Sequence, residues 1–418
     1  MKVLTGKYGF GSYFCRWIEV LYNNAVSCVM NGGFSTGYFE IGRGVRQGDL
    51  LSPYLFLLII ETLALVIRND QNFKGISIGN IEMKLVMYAD DCSIFLKDTE
   101  DMKILENIMA SFSQVSGLRI NKDKTHIMKL GSSGQSYDDF SSITLGKIVS
   151  VVKVLGVHFS LDINVKEEIN YKEILSKIKK LLGWWKQRDL TLFGKIQLVK
   201  VFAISKLLYV SSIMTVPQWV FKEMETICFN FIWNGHDKIR RNILYMNYDS
   251  GGLKMLNFKY MVCAQRVMWI KRLIYGHNDM KWKQFFDFIF KTVGGRLIFL
   301  CNYNCKSINI KVPDLYLEFL NIWNYLQEKK FIVKETHNEN QIIFHNTLIK
   351  GRIFQFNEKL FDANIFQVKH LVDTEGNIRS GDYFIRKGLF PTIYFSLMMY
   401  TLSYHFLGRK KEETEMIL

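Results

Sequence analysis

Two kinds of apolar pattern alternate along the first 160 residues of this chain. Longer apolar runs predict helices near Phe10–Tyr22, Pro53–Ile67 and Glu100–Gln114. Shorter runs rich in β-favouring residues predict strands near Phe39–Ile41, Lys84–Met87, Ser93–Leu96, Thr125–Leu130 and Val154–Phe159. This mixture is typical of an α+β fold in which helices back an antiparallel sheet.

After Asp162 the pattern becomes helical. The run Val165–Arg188 carries lysines on one face and apolar residues on the other, at Ile169, Ile174, Ile178, Leu181 and Leu182. Residues 215–275 predict two more helices joined by a glycine-rich turn at 250–252, and the polar stretch Gly131–Ser142 predicts an inserted loop. The chain is therefore expected to divide into an α+β region at 1–160, a helical region at 161–275 and a mixed C-terminal extension at 276–418 of unknown role.

Two adjacent carboxylates stand between two of the apolar runs. Tyr88-Ala89-Asp90-Asp91 lies between Ile81–Met87 and Cys92–Leu96, which predicts a strand, a tight turn with two acids, and a second strand. Adjacent aspartates repel each other, and a divalent metal is the usual partner that offsets the repulsion. The alternative is an ordinary turn, because aspartate is common in turns. The four residues alone leave both interpretations open.

A basic, glycine-rich segment lies about 40 residues upstream and runs from Arg43 to Phe56. Gly44 and Gly48 allow the backbone to approach a ligand, and three residues supply planar donors, namely Arg43, Arg46 and Gln47. Ser52 is the expected N-cap of the next helix, with Pro53 at its first position. The alternative is a basic loop that merely precedes a buried helix.

Together these two segments resemble the palm domain of reverse transcriptases, in particular those of non-LTR (LINE-type) retrotransposons. The run Gly44-Val45-Arg46-Gln47-Gly48-Asp49 is similar to the family's template- and nucleotide-contacting motif. The run Tyr88-Ala89-Asp90-Asp91 is similar to its catalytic hairpin. The resemblance implies an RNA-directed DNA polymerase, with a partial right-hand palm followed by a helical thumb.

The resemblance also implies roles for individual residues. Asp90 would be a metal ligand, and Asp91 would help to hold the metal. Tyr88 and Ala89 would line the primer terminus. Nucleotide and template would be positioned by three residues of the glycine-rich motif, namely Arg46, Gln47 and Gly48. Lys124, which follows a segment similar to the next palm motif (Ser116–Asn121), would face the triphosphate.

Weaker similarities continue along the chain. Leu155-Gly156-Val157 resembles the strand at the primer grip. The runs Leu192–Lys195, Phe231–Trp233 and Gly251–Leu253 resemble segments of the family's thumb and the region after it, and Asn357–Gly381 resembles a C-terminal block. The resemblance therefore extends to about residue 390 and is most specific over residues 40–160.

One expected feature is missing from the resemblance. Phosphoryl transfer of this kind uses two Mg²⁺ ions, and the family holds them with a third aspartate on an earlier strand. The acids before Glu61 are Glu19, Glu40 and Asp49, and none has the setting of an aspartate that closes a strand. We therefore expect the fingers and the first catalytic strand to lie outside this sequence, the two-metal site to be incomplete, and the chain to be inactive alone.

Charge points to a polyanionic partner, because 54 Lys and Arg oppose 39 Asp and Glu for a net charge of +15. Residues 165–206 alone carry ten basic and four acidic side chains, together with Trp184, Trp185 and Phe193. Such helices suit a thumb that grips the backbone of a duplex, and Lys177, Lys179 and Lys180 are the candidate contacts. The expected partners are an RNA template and DNA primer, or their hybrid. The alternative is a solvated lysine face over tryptophans of the core.

No membrane partner is expected, because Glu61 interrupts the most apolar stretch, Tyr54–Ile67. The first residues lack a signal peptide. Seven irregularly spaced cysteines suit a reducing compartment, so we expect an intracellular protein of nucleus or cytoplasm. Two other hypotheses stay open: a nucleic-acid-binding remnant of a transposable element without catalysis, and a decayed element that yields little stable protein.

Overall fold

The structure is a computed structural model of the chain. It describes residues 8–42, 44–131, 145–277, 280–300, 310–329, 342–344, 357–371, 373, 379 and 381–389. The predicted loop after Gly131 and part of the block Asn357–Gly381 lie outside the described residues. The Cα trace separates into two compact units. The first unit comprises Met1–Ser77 and Glu82–Val149, and the second comprises Ile78–Ile81 and Ser150–Leu418.

The helices of the first unit follow the prediction to within a few residues. They are α1 (Ser12–Tyr22), α2 (Ser52–Asn69) and α3 (Thr99–Ser116). The side chain of Asp98 caps α3 by accepting hydrogen bonds from the N–H groups of Glu100 and Asp101. Gly117 ends it with φ +72°, a left-handed conformation that glycine adopts without strain.

The strands of the α+β region are short and pair in twos. They are β1 (Val26–Ser27), β2 (Met30–Asn31), β3 (Phe34–Ser35), β4 (Phe39–Glu40), β5 (Ile76–Ile78), β6 (Ile81–Met83), β7 (Leu85–Tyr88), β8 (Asp91–Ile94), β9 (His126–Ile127), β10 (Lys147–Ile148), β11 (Val151–Val154) and β12 (Val157–Ser160). The pairs are β1–β4, β2–β3, β5–β6, β7–β8, β9–β10 and β11–β12.

The single antiparallel sheet that the sequence predicts is therefore wrong within the described residues. Six two-stranded sheets replace it, and one pair, β9–β10, is parallel. The described strands are two to four residues long, so each offers few hydrogen bonds to a further neighbour. The coarser expectation of an α+β fold with small, mainly antiparallel sheets is confirmed.

One predicted strand is confirmed and another differs in detail. The predicted strand Lys84–Met87 corresponds to β7, and Lys84 separates it from β6. The run Val154–Phe159 contains a turn at Leu155-Gly156, where both residues have positive φ, and forms the hairpin β11–β12. The pattern of apolar residues did not show the turn at Leu155-Gly156, because apolar residues stand on both sides of it.

The core of the first unit lies between α2, α3 and the hairpin β7–β8. Leu63, Ile67, Phe73 and Leu105 are buried there. Leu85 and Ile94, opposite each other on β7 and β8, are partly buried against this cluster, as are seven further apolar residues. The helices thus fix the base of the hairpin through apolar burial, the main favourable term in folding.

The second unit is largely helical. Its elements after β12 are α4 (Ile163–Glu167), a π-helix π1 (Glu168–Lys172), α5 (Glu173–Trp185), α6 (Leu192–Leu198), a π-helix π2 (Val199–Ile204), α7 (Ser205–Ile213), α8 (Gln218–Trp233), α9 (Arg241–Tyr245), α10 (Phe258–Tyr275), α11 (Lys281–Ile289), α12 (Asp314–Glu328), α13 (Glu358–Asp362) and α14 (Gly381–Arg386). Short 3-10 helices occupy Tyr248–Ser250, Lys291–Val293, Gly295–Phe299 and Val368–His370.

The predicted amphipathic helix Val165–Arg188 is confirmed in its amphipathic character and corrected in its continuity. The π-helix π1 separates α4 from α5. Along α5, Leu175, Ile178 and Leu182 are buried. Residues 215–275 contain three helices rather than two, because the short α9 lies between α8 and α10.

A buried arginine joins three helices of the second unit. Arg266 of α10 is fully buried and donates from Nη1 to the carbonyl of Ser211 at 2.6 Å and from Nη2 to that of Met214 at 2.7 Å. Its Nε donates to Glu318 of α12 at 2.7 Å, and the other carboxylate oxygen of Glu318 accepts from the N–H of Val216. The carbonyls at the end of α7, which lack partners in their own helix, are therefore satisfied.

Two described helices are long and apolar enough to cross a membrane, Ser52–Asn69 and the continuous run Leu192–Ile213. The predicted apolar stretch Tyr54–Ile67 lies within the first of them, and that helix, 18 residues long, contains Glu61. Core helices of soluble proteins meet the same criterion, and both helices pack side chains into an apolar core.

Candidate active site

The two aspartates predicted to carry the chemistry lie at the tip of a β-hairpin. Strands β7 and β8 pair antiparallel, with Tyr88 opposite Asp91, Met87 opposite Cys92 and Val86 opposite Ser93. The tip consists of Ala89 and Asp90. The predicted hairpin is thus confirmed, although Asp90 alone lies in the turn and Asp91 is the first residue of β8.

The turn has the backbone of a tight hairpin. Ala89 has φ +51°, in the left-handed region that the first central residue of a two-residue hairpin turn adopts. Alanine is disfavoured there relative to glycine or asparagine, so the tip holds local strain of order 1 kcal/mol. Strain of this kind concentrates at functional sites.

The two faces of the hairpin differ. Because side chains alternate along a strand, Leu85 and Met87 share one face, and Val86 and Tyr88 share the other. The first pair is half-buried, whereas the side chain of Tyr88 is 70% exposed. Asp91 lies opposite Tyr88 and is also exposed, as is Asp90. The carboxylates therefore stand on the solvent side, away from the face that Leu85 packs on the core.

Carboxylate oxygens are the ligands that divalent ions such as Mg²⁺ prefer, and Asp90 and Asp91 supply two adjacent exposed groups. Over the ranges that the structure describes, no third His, Cys, Asp or Glu side chain joins them to form a metal site. The residues present thus fit part of a two-metal site and not the whole of it.

The glycine-rich segment is fastened by a network around Asp49. The hydroxyl of Tyr22, at the end of α1, donates to Asp49 Oδ2 at 2.6 Å. Ser52 Oγ donates to the same oxygen at 2.9 Å, and the N–H of Leu51 donates to Oδ1 at 3.3 Å. The hydrogen bond from Tyr22, followed by those from Ser52 and Leu51, lowers the pKa of Asp49 below its usual value. A charged Asp49 therefore ties α1, the segment and α2 together at neutral pH.

Ser52 does not act as the predicted N-cap. It is the first residue of α2, Leu51 occupies the cap position, and the hydroxyl of Ser52 bonds to Asp49 and Tyr22 instead. Pro53 stands in the first turn, where its missing N–H costs nothing. The role of Tyr22 was missed, since nothing in the local pattern links two residues 27 positions apart.

Arg46 is engaged by the protein itself. Its Nη2 donates to the carbonyl of Leu21, and its guanidinium lies 5.1 Å from the centre of the Tyr22 ring. Gln47 and Gly48 are exposed, and Gly44 and Gly48 have φ near +88° and +87°. Among the three residues predicted to position nucleotide and template, Gln47 and Gly48 therefore face solvent, while the guanidinium of Arg46 anchors the segment.

Lys124 lies in a turn after α3. Asn121 Oδ1 accepts hydrogen bonds from the N–H groups of Asp123 at 3.1 Å and Lys124 at 3.3 Å. This is the local bonding by which asparagine stabilises turns. The Lys124 side chain is exposed, which leaves its ammonium group accessible to an anion.

An apolar cavity of about 590 Å³ adjoins the inner side of the hairpin tip. Its lining includes Phe10, Phe14, Tyr54, Met87 and Ala89. Tyr8, at the start of the described chain, lines it as well and donates from its hydroxyl to the carbonyl of Leu58 at 2.9 Å. Ala89 thus faces an apolar space, whereas Asp90 is exposed to solvent.

The predicted nucleic-acid contacts Lys177, Lys179 and Lys180 are all exposed on α5. Lys177 is bonded to Glu173, one turn earlier on the helix, at 2.5 Å. Trp184 is 70% exposed, whereas Trp185 is half-buried and packs near Phe202. The two tryptophans thus divide between the two interpretations, since one belongs to the surface and the other packs toward the core.

Comparison with known proteins matches the site to one family. Residues 6–159, which include the hairpin and the glycine-rich segment, match the profile of the family "Reverse transcriptase (RNA-dependent DNA polymerase)". The "Transposon TX1 uncharacterized 149 kDa protein" of Xenopus laevis is 22% identical over 381 residues, which cover 88% of this chain and 29% of that protein.

Two further relatives are similar to this chain over shorter stretches. The "Retrovirus-related Pol polyprotein from type-2 retrotransposable element R2DM" of Drosophila melanogaster is 30% identical over 128 residues, 31% of this chain and 12% of that polyprotein. A polyprotein from the type-1 retrotransposable element R2 of Popillia japonica is 29% identical over 104 residues, 24% of this chain and 14% of its own length. The chain thus spans less than a third of the length of these curated relatives.

The fold, the Asp-Asp hairpin and the matched profile define a reverse transcriptase domain in residues 6–159. The relatives that this chain resembles are a transposon protein and polyproteins of retrotransposable elements. The resemblance seen in the sequence is therefore confirmed, and proteins of this family work with a divalent metal and with nucleic acid.

Proposed function

We propose that this chain contributes the polymerase palm of a retrotransposon reverse transcriptase that copies an RNA template from a DNA primer. The hairpin that exposes Asp90 and Asp91 carries this proposal. These carboxylates would hold Mg²⁺, which would clamp the attacking and leaving oxygens of the transferred phosphoryl group. We assign this activity to a longer reverse transcriptase, to which these residues would contribute one part.

The other proposed site residues support the same reaction. Tyr88 and Ala89 would border the primer terminus beside the carboxylates. Gln47 and Gly48 would contact nucleotide and template through exposed backbone and amide groups, held in place by Arg46. Lys124 would place a positive charge near the triphosphate, where negative charge develops.

Residues 1–418 alone are proposed to bind nucleic acid without catalysing its extension. The observation that favours this second function is the incomplete carboxylate set, since no third possible metal ligand joins Asp90 and Asp91 within the described residues. The helical region from 161 to 275 would act as the thumb, with Lys179 and Lys180 free on the surface of α5 and Lys177 beside Glu173. Such binding would take place inside the cell, in the nucleus or cytoplasm.

A binding experiment tests the thumb. Purified residues 1–418 are titrated into a fluorescein-labelled RNA–DNA hybrid, and anisotropy is measured over a range of salt concentrations. Reversal of Lys177, Lys179 and Lys180 to Glu should weaken binding. It should also reduce the slope of log affinity against log salt concentration by up to about 0.9 for each lost phosphate contact, which is the value for B-DNA.

The matched control reverses Lys259, Lys271 and Lys281, three exposed lysines of α10 and α11, to Glu. This variant has the same net charge as the α5 variant, so it reports the general effect of charge. Equal affinity of the two variants, or hybrid affinity at low salt unchanged by the α5 reversals, would reject the thumb assignment.

A further inference from the structure

Three sequence motifs that the proposed reaction leaves without a role meet in the second unit. They are Leu192–Lys195, Phe231–Trp233 and Gly251–Leu253. Lys195 Nζ donates to the carbonyl of Ile232 at 3.2 Å, near the end of α8. The ring of Phe193 lies 6.2 Å from that of Tyr248, whose carbonyl accepts the N–H of Gly251. The contact used by Lys195 is one that stabilises a helix C-terminus, so this lysine joins the first motif to the second.

The glycine pair folds the chain back on itself. Gly251 has φ +74°, and a Cβ atom on Gly252 would lie 2.2 Å from the carbonyl oxygen of Met246. Glycine is therefore required at Gly252 for this close approach of two backbone segments. The N–H of Lys254 then donates to the same carbonyl of Met246 at 2.8 Å. The fold thereby brings Lys254 alongside Tyr248.

The result is an exposed group of two rings and a cation, which we call the aromatic platform: Phe193, Tyr248 and Lys254. Phe193 is 56% exposed and Tyr248 is 44% exposed. Lys254 Nζ lies 5.0 Å from the centre of the Tyr248 ring. Single exposed aromatics are ordinary on protein surfaces, but two adjacent rings with a cation over one of them offer stacking and charge at one place.

Such a surface could suit either a protein or a single-stranded nucleic acid, and the charge around it distinguishes between these two partners. Residues 234–254, which contain two of the three platform residues, carry four Lys or Arg and two Asp. A protein partner would require apolar area over a wider patch with few charges at its centre. Successive unpaired bases need aromatic faces together with cations for the phosphates.

We propose that the aromatic platform binds single-stranded nucleic acid, with unpaired bases stacking on Phe193 and Tyr248 and Lys254 contacting the backbone. The platform would hold a strand before it pairs or after it separates, whereas the lysines of α5 would hold the duplex. This inference rests on the proposed role in nucleic-acid binding and assigns to the second unit a separate, strand-specific site.

The experiment compares two probes on the same preparation of residues 1–418. One is a fluorescein-labelled 12-mer oligoribonucleotide of mixed sequence without self-pairing, and the other is the hybrid of that strand with its complementary DNA. The variant Phe193→Ala with Tyr248→Ala should bind the single strand at least about tenfold more weakly, because each stacked base contributes about fivefold or more and two rings are lost. Its affinity for the hybrid should stay within about twofold, well below the effect of one stacked base.

Salt separates stacking from charge. The double alanine variant should lose single-strand affinity by the same factor at every salt concentration, since no phosphate contact is lost. Lys254→Gln should instead reduce the log-log slope for the single strand by about 0.7. Exchange of the rings, Phe193→Tyr with Tyr248→Phe, should restore most of the affinity because both stacking faces are kept.

Tyr275→Ala is the matched control, because Tyr275 is an exposed aromatic at the end of α10 and lies outside the platform. The inference is overturned if the double alanine variant binds the single strand as tightly as the Tyr275 variant, or if it loses hybrid affinity to the same extent. A normal effect of the α5 reversals on the hybrid would then leave the proposed function standing. Failure of the unaltered chain to bind either probe at low salt would reject both proposals.

Discussion

A single buried carboxylate organises the base of the hairpin. Asp101, in the first turn of α3, is buried, and its two oxygens accept the N–H groups of Lys74 at 2.8 Å, Gly75 at 2.9 Å and Lys97 at 2.8 Å. These residues flank the strands on both sides, so one side chain closes two loops. Buried N–H groups without partners are costly, which makes this residue important for stability.

We expect Asp101→Asn to destabilise this region by about 3 kcal/mol, because the amide NH₂ cannot accept and leaves at least one buried N–H without a partner. Hydrogen–deuterium exchange measures the effect locally. The amides of Lys74, Gly75 and Lys97 should exchange about 100-fold faster, the factor that corresponds to that free energy.

Asp98→Asn is the matched control three residues earlier. Asp98 is the cap of α3, and asparagine caps a helix as well as aspartate does. Exchange at the three amides should then change little. Equal exchange rates in the two variants would show that the bonds to Asp101 contribute no more than an ordinary cap.

At the scale of elements, the end of α7 depends on a side chain from another helix. Arg266 satisfies two carbonyls there, and Trp269 of the same helix donates from its indole N–H to the carbonyl of Ser212 at 2.8 Å. Arg266→Met would leave these carbonyls and the carboxylate of Glu318 unpaired. Removal of one partner from a buried ion pair costs about 3–5 kcal/mol, so we expect a loss of that size.

Urea unfolding followed by tryptophan fluorescence measures this loss, because seven of the eight tryptophans lie in the second unit and Trp17 alone in the first. Arg266→Lys should also destabilise, since one ammonium group cannot reproduce the planar fork of three donors. Lys271→Met, at an exposed position of the same helix, is the control and should shift the midpoint little. An Arg266→Met midpoint equal to that of the control would contradict the assigned role.

Elements that depend on neighbouring residues were predictable from the sequence, and those that depend on distant contacts were not. The three helices of the first unit and the Asp-Asp hairpin follow from local periodicity and turn residues. The bond from Tyr22 to Asp49 spans 27 positions, and those to Asp101 reach back as far as Lys74. The turn at Leu155-Gly156 inside the predicted strand Val154–Phe159 was missed because apolar residues stand on both sides of it.

At the scale of the whole molecule, the number of carboxylates available to bind metal determines the polymerase activity that we expect. We expect residues 1–418 alone to give no template-dependent primer extension above background with Mg²⁺ or Mn²⁺. Within the described residues no third possible metal ligand joins Asp90 and Asp91, and loss of a metal clamp removes several kcal/mol of transition-state stabilisation. A primer-extension gel with labelled DNA primer on an RNA template measures this directly.

Hybrid binding by the same preparation is the control, since it shows that the protein is folded and competent to bind. Extension that disappears in Asp90→Ala would contradict the prediction and would mean that the two exposed carboxylates suffice. Extension that persists in Asp90→Ala would come from a contaminating polymerase and would be discounted.

Two π-helices interrupt runs of α-helix in the second unit. The first, π1, lies between α4 and α5, and the second, π2, lies between α6 and α7. A π turn holds one residue more than an α turn, and it keeps the side chains before and after it facing the same core. Asn170 and Tyr171 are buried within π1, and Val199 and Ala203 within π2. Each run therefore has a place where chain length can vary: removal of one residue there would convert the wide turn to an ordinary one and leave both flanking helices in register.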